Sequence, residues 1–163
     1  MLPKVTSIPD FKGPNGERCV VSIGWHVDGE AGAIASDAQA ANHLAALSEG
    51  AYGVSTALPR ILEMHRVLNI PASFFIPSYV AELHPEAVEA VIAEGHEVAH
   101  HGYLHENCFL MNKAEQHEVF LKGITALEQI TGKAPVGWSA PGCGVNLITL
   151  DLISELVMIY DCR

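Results

Sequence analysis

Basic residues are scarce in this sequence. Nine Lys plus Arg stand against nineteen Asp plus Glu, for a net charge of −10. A nucleic-acid binder needs a basic stripe to displace phosphate counterions, so that class of partner is excluded. Long apolar runs are missing too. None approaches the ~18 to 20 residues that cross a bilayer, so no membrane partner is expected. The segment Met1-Leu2-Pro3-Lys4-Val5-Thr6 holds nothing like the apolar centre of a secretory leader, and a cytoplasmic location is the expectation. The only cysteines, Cys19, Cys108, Cys143 and Cys162, are widely spaced and form no C-x-x-C pair. That spacing argues against a structural zinc framework and for reduced thiols. Charged residues make up 17% of the chain, below the usual quarter, so part of the surface is expected to be covered by another subunit. What is plentiful is apolar material: 49% of 163 residues, enough for one domain with a proper core and too much for a disordered chain.

Residues 1–18 carry Pro3, Pro9, Gly13, Pro14 and Gly16 and read as an irregular arm; residues 19–163 form the domain. Cys19 to Trp25 has the look of a strand buried on both faces. Residues 29 to 53, rich in Ala, Gly and Ser, read as a long connection with a single helical turn. Val54, Leu58, Ile61, Leu62 and Leu68 share one helical face, with His65 among them. Ala72 to Ile76 is a second strand. Pro85 suits a first helical position, Val88, Val91 and Ile92 follow, and Gly95 ends that helix. Glu97 to Ala99 is a third strand. Asn112 with Glu115 marks a helix start, Phe120, Ile124 and Leu127 continue its face, and Gly132 stops it. Val136 to Ser139, a helix through Leu150, Ile153 and Val157, and a strand from Ile159 to Asp161 complete the series. Strands alternating with helices give an α/β fold with a mostly parallel sheet of about five βα units. Such a chain is either an open sheet or a barrel lacking its last third, because a closed eight-unit barrel needs about 200 residues or more.

In βα folds reactive groups gather at the carboxyl ends of the strands. There the sequence places Trp25-His26-Val27-Asp28-Gly29-Glu30, then His100-His101-Gly102-Tyr103-Leu104-His105-Glu106-Asn107, then Trp138-Ser139-Ala140-Pro141-Gly142. His101 and His105, four apart, can face one point from a helical turn or a tight loop. With a carboxylate from another strand, best Asp28, they would give two-His-one-carboxylate ligation with positions left open for water and substrate. A bare H-x-x-x-H is also the pattern of a solvated pair. A divalent ion there would need a base beside it, and His26 points to the same end of the sheet. Trp25, Tyr103, Trp138, Ser139 and Pro141 are the candidates to line a substrate pocket, core packing being the alternative for the two indoles. Of the other histidines, His65 is expected in the core, His43, His84 and His117 in solvent, and His96 against the carbonyls of a helix end.

At these segments the sequence resembles the polysaccharide deacetylase family, the NodB-homology domain. It is most similar to the cytoplasmic branch that includes allantoinase-like and cyclic-imide-hydrolysing members. The likeness runs from Arg18 to Cys162 and is carried by S-I-G-W-H-V-D-G-E, L-S-E-G-A-Y-G, P-A-S-F-F-I-P, G-H-E-V-A-H-H-G-Y-L-H-E-N, P-V-G-W-S-A-P and N-L-I-T-L-D-L-I. It implies an incomplete distorted (β/α) barrel that hydrolyses carbon–nitrogen amide bonds with a divalent metal. Zn²⁺ is the first choice, with Mn²⁺, Co²⁺ or Ni²⁺ as alternatives, and the family's metal triad maps to Asp28, His101 and His105. The family name points to an N-acetylated sugar, but with no export leader expected a small amide, imide or ureide is placed ahead of it.

Three departures from the family pattern stand out. The position of the carboxylate that serves the family as catalytic base is taken by His26, and that of the Arg which holds it by Ser139. A neutral imidazole base would be weakened by a neighbouring Arg, so the two changes are consistent with each other, and equally with loss of activity in a non-catalytic remnant. Third, the family domain continues past the point where this chain ends and carries a later His acting as general acid. The open side of a truncated barrel would expose a strand edge, to be covered by a homo-oligomeric contact or another partner.

Overall fold

The computed structural model describes residues 12–156 and 158–162. Pro3 and Pro9 of the expected arm, and Val157 of the last expected helix, lie outside the described residues. Five strands are formed: β1 (Gly24–His26), β2 (Ser73–Ile76), β3 (Glu97–His100), β4 (Gly137–Trp138) and β5 (Tyr160–Asp161). They pair in the order β1-β2-β3-β4-β5, every pair parallel. A doubly wound sheet reverses its strand order partway across. This one never does, so each crossover steps to the next strand on the same side, which is the winding of a barrel. The fold is therefore an incomplete distorted (β/α) barrel.

The helices are α1 (Ala31–Ser36), α2 (Leu44–Tyr52), α3 (Leu58–Leu68), α4 (Ser78–Leu83), α5 (Pro85–Ala93), α6 (Lys113–Thr131) and α7 (Leu147–Glu155). Leu58, Leu62 and His65 form the buried stripe of α3, at the three- and four-residue spacing that puts side chains on one face. Pro85 opens α5, whose Val88 and Val91 are fully buried. Asn112 caps α6 in a reciprocal box with Glu115, and Gly132 closes it in a left-handed conformation.

Two readings of the chain are corrected. Residues 29–53 are not a loop with one turn: α1, a 3-10 stretch at Ala38–Asn42 and α2 occupy most of them, and a π-helical stretch at Gly53–Ala57 leads into α3. Their alanines give high helix propensity without the apolar periodicity that would have announced a helix. The first strand is short and starts at Gly24, and Val20 and Val21 are 58% and 78% exposed rather than buried on two faces. Among the described residues β1 pairs only with β2, which leaves its other edge without a strand neighbour.

Side chains alternate across the strands. Phe74 and Ile76 point outward into a core with Val80, Val88, Val91 and Leu127, and Trp25 and Val98 pack against it. Trp138, Phe120 and Ile153 form a second cluster on the same side. Each such ring or branched chain contributes about 1.5–3 kcal/mol on burial. The opposite row mixes polar side chains with a few buried apolar ones: Ser73 and Tyr160 both donate to Glu97, and the buried Phe75 lies edge-on to His26 and Tyr160.

Candidate metal centre

The end of β1 presents His26 and then Asp28; the end of β3 runs straight into the loop that carries His101 and His105. His101 is fully buried, and its Nδ1–H donates to the Ser139 carbonyl at 2.7 Å. That bond fixes the tautomer and leaves a lone pair on Nε2. Nε2 lies 3.4 Å from Oδ1 of Asp28, and Oδ2 of Asp28 lies 3.6 Å from Nε2 of His105. Nε2 of His101 and Oδ1 of Asp28 are both buried without a hydrogen-bond partner. Two acceptors facing one another with no donor between them repel, unless a positive charge joins them. Burial, opposed by the Ser139 carbonyl and reinforced by the other histidines, pushes the His101 imidazole down to about 3, so it does not supply that charge itself. The donor set of two imidazoles and a carboxylate suits a divalent ion such as Zn²⁺.

His26 stands closer to this point than its expected role requires. His26, Asp28 and His101 each offer a ligand atom, and all three atoms lie within 4.8 Å of one another. Ser139 Oγ donates to the Cys162 carbonyl at 2.7 Å, so it accepts from Nε2–H of His26 at 3.2 Å. The lone pair of His26 is thereby placed on Nδ1. Ser139 and His26 are thus direct partners, and the two unusual residues of the sequence meet in one hydrogen bond.

Several expected pocket residues face elsewhere. Trp138 is fully buried and packs on Phe120. Trp25 points to the helix side, where its indole N–H donates to Nε2 of His65 at 2.8 Å. Both belong to the core because strand alternation turns them away from His26 and Ser139. Tyr103 also leaves the centre: its hydroxyl donates to Glu82 at 2.8 Å and Lys122 stands over its ring. Ser139 is buried and serves His26, and Pro141 is buried against Gly102 of the His101–His105 loop.

Among the other histidines, His65 is buried and satisfied as expected, its Nδ1–H donating to Ile70. His84 is not free in solvent: its Nε2 sits 3.0 Å from the buried Glu30. His96 makes no ring hydrogen bond to a helix end; its ring packs on His65 and Phe74, and burial lowers its pKa. His43 and His117 are exposed.

Two contributors escaped the sequence reading. Glu106 accepts from the backbone N–H of Tyr103 and Leu104, at 3.0 and 2.8 Å, and so shapes the loop. His100 packs behind His101, with its Nδ1 accepting from Gly102 N–H. A glutamate within three residues of a glycine turn was the available signal for the first; a doubled histidine was the signal for the second.

Fold and centre together define a parallel βα half-barrel with a cation-competent His/Asp cluster at the carboxyl ends of its strands. A family model described as polysaccharide deacetylase matches residues 49–159, and the chain belongs to that family. The matched region holds His101 and His105, and Asp28 lies upstream of it. The peptidoglycan deacetylase of Helicobacter pylori is 33% identical over 115 residues, covering 71% of this chain and 39% of that protein. A Mycobacterium smegmatis structure assigned to the polysaccharide deacetylases superposes with a TM-score of 0.89 at 35% identity, over 96% of this chain and 55% of that one. The structure of the Puue allantoinase superposes with a TM-score of 0.67 at 31% identity, over 74% of this chain and 39% of that one. The chain thus spans roughly two fifths of the Helicobacter protein's length and about half of the mycobacterial one. Among the described residues, no helix is long and apolar enough to cross a membrane.

Proposed function

We propose that this chain carries the metal half of a hydrolase for non-peptide carbon–nitrogen bonds, with Asp28, His101 and His105 as ligands of one divalent ion, Zn²⁺ before Mn²⁺, Co²⁺ or Ni²⁺. The observation that carries the reading is the buried lone pair of His101 aimed at an equally unpartnered carboxylate oxygen. When bound, such an ion acidifies a water and polarises a carbonyl oxygen. The chain's own residues do the rest. The Ser139 carbonyl holds the His101 ring so that Nε2 faces Asp28. Asp28 bridges the two imidazoles with its two oxygens. His26, held through Nε2–H by Ser139, presents Nδ1 as the proton acceptor for an attacking water.

The relatives' names bracket the substrate between an N-acetylated glycan and a small ureide. A small amide, imide or ureide is the first class to assay and an N-acetylated sugar the second. Val20, Val21 and Ile159, all exposed beside the sheet edges, fit a second subunit or another partner covering the open side.

The test is metal analysis of purified protein followed by turnover assays on acetylated sugars, allantoin and cyclic imides with added Zn²⁺ or Mn²⁺. About one ion per chain, lost in His101→Ala, with turnover abolished by Asp28→Ala, is the expected result. No ion above background, and none gained on titration, overturns the ligand assignment. Tight binding without turnover on any class favours the second reading, a remnant that kept the ion site, for which the His26 and Ser139 replacements speak.

A further inference from the structure

We infer that His100 is a positioning residue for the cation centre: from a seat in α6 at Gly123, it fixes the turn that carries His101 and His105. Its functional meaning rests on the metal reading above. His100 is fully buried on the outer side of β3, and its ring stacks on Phe120 of α6 at 5.3 Å between centroids and 5° between planes. Nδ1 accepts from the Gly102 N–H at 3.1 Å. The proton of the neutral ring is therefore on Nε2, which presses against α6 where a Cβ on Gly123 would stand; any side chain at 123 would displace it.

What His100 holds is the pivot of the loop. Gly102 has φ +75°, a left-handed conformation in which glycine is favoured. Its carbonyl accepts from Ser78 N–H at 3.1 Å, and the Tyr103 carbonyl accepts from Tyr79 N–H at 2.9 Å. Ser78 Oγ in turn donates to the Gly123 carbonyl at 2.9 Å. Gly102 is thus clamped through its N–H by His100 and through its C=O by α4, and both clamps lean on one residue of α6. Beyond the pivot, His105 takes φ +61°, an uncommon geometry for a residue with a Cβ, reached only if the turn before it is fixed. The hydrogen bond of His100 goes to Gly102 and its ring stacks on Phe120, not on Asp28, His101 or His105, so apart from a charge repulsion with His101 its hold on them runs through the backbone.

Three variants separate this role from simple packing. His100→Asn keeps an acceptor at the δ position but no ring; His100→Phe keeps the ring but no acceptor; Gly123→Ala keeps the histidine itself and fills its seat, pushing the ring out of place. The readouts are hydrogen exchange of the Gly102 amide in the metal-free protein and Zn²⁺ affinity by competition with a chelating dye. His100→Phe and Gly123→Ala should each speed exchange about tenfold or more and weaken Zn²⁺ by about 10- to 100-fold, the range for residues that orient ligands. His100→Asn should stay within about threefold of wild type on both. Wild-type exchange and affinity in a folded His100→Phe overturns the inference, as does equal damage in the Asn and Phe variants. Should His100→Phe fail to fold, Gly123→Ala against His100→Asn decides the same question. If wild-type protein binds no Zn²⁺, the metal reading falls, and Gly102 exchange still decides whether His100 holds the turn.

Discussion

On the helix-covered side of the sheet, Phe74, Ile76 and Trp138 are almost fully buried, and His100 of β3 is stacked on Phe120. On the other side, β1, β2 and β3 present His26, Ser73 and Glu97, Ser139 follows β4, and β5 adds Tyr160; hydrogen bonds join Ser73 and Tyr160 to Glu97 and His26 to Ser139, around the buried Phe75. The difference is a consequence of the two-residue period of a strand. One row of side chains has helices to bury it and holds the fold together; its neighbours, one residue along, are free to carry chemistry. A single step in register would exchange the two rows, so the apolar row also keeps the polar one in place.

The sharpest way to break the comparison is to hollow out the outer face. Trp138→Ala should cost about 3–5 kcal/mol of stability, read from the midpoint of chemical unfolding. Asp28→Ala, at the mouth of the inner face, should leave the midpoint of the metal-free protein nearly unchanged while lowering Zn²⁺ affinity by about a hundredfold or more, beyond the loss for a merely orienting residue. Acid should act on the two faces together. Burial holds His100 at about 4 and His101 at about 3, both below the value of about 6.5 for an unfolded chain. Below that pH the unfolded chain takes up protons that the folded chain refuses. The stability these rings contribute is therefore complete above about 6.5 and is lost as the pH falls towards 4 and then 3. Denaturant titrations of metal-free protein should show a slope of up to about 1.4 kcal/mol per pH unit for each ring, and His100→Asn should remove one share of it. The smallest change is Glu97→Gln, which swaps a charge-assisted bond to Tyr160 for a neutral one. About 1 kcal/mol is expected, with a fall in the Tyr160 pKa, which burial and then the carboxylate hold above its ordinary value.

The strand-by-strand layout was readable because each element carried its own punctuation: Pro85 and Gly95 around α5, the Asn112–Glu115 box and Gly132 around α6. The spacing of His101 and His105, and Asp28 after another strand, likewise pointed to one end of the sheet. Other features left no such trace. α1 and α2 are rich in Ala, with Ile34, Leu44, Leu47 and Tyr52 too sparse to make an apolar stripe that a reader could see. Which way Trp25 and Trp138 point depends on where β1 and β4 begin, to within one residue, and the apolar run Cys19 to Trp25 hid that boundary. The Glu30–His84 pair joins positions far apart in the chain, and only the folded geometry makes an exposed-looking histidine the partner of a buried acid.

Asp28 follows the first strand and both histidines follow the third, with β2 lying between them. An ion held there would rivet two strands that are not hydrogen-bonded to each other and close the long stretch of chain from α1 to α5 into a loop. Its grip would register in the melting curve as well as in turnover, by about 2.7 kcal/mol at a hundredfold excess over the dissociation constant. A chelator would then loosen the β1–β3 part of the sheet first, and the mouth of the barrel would be the place where unfolding begins.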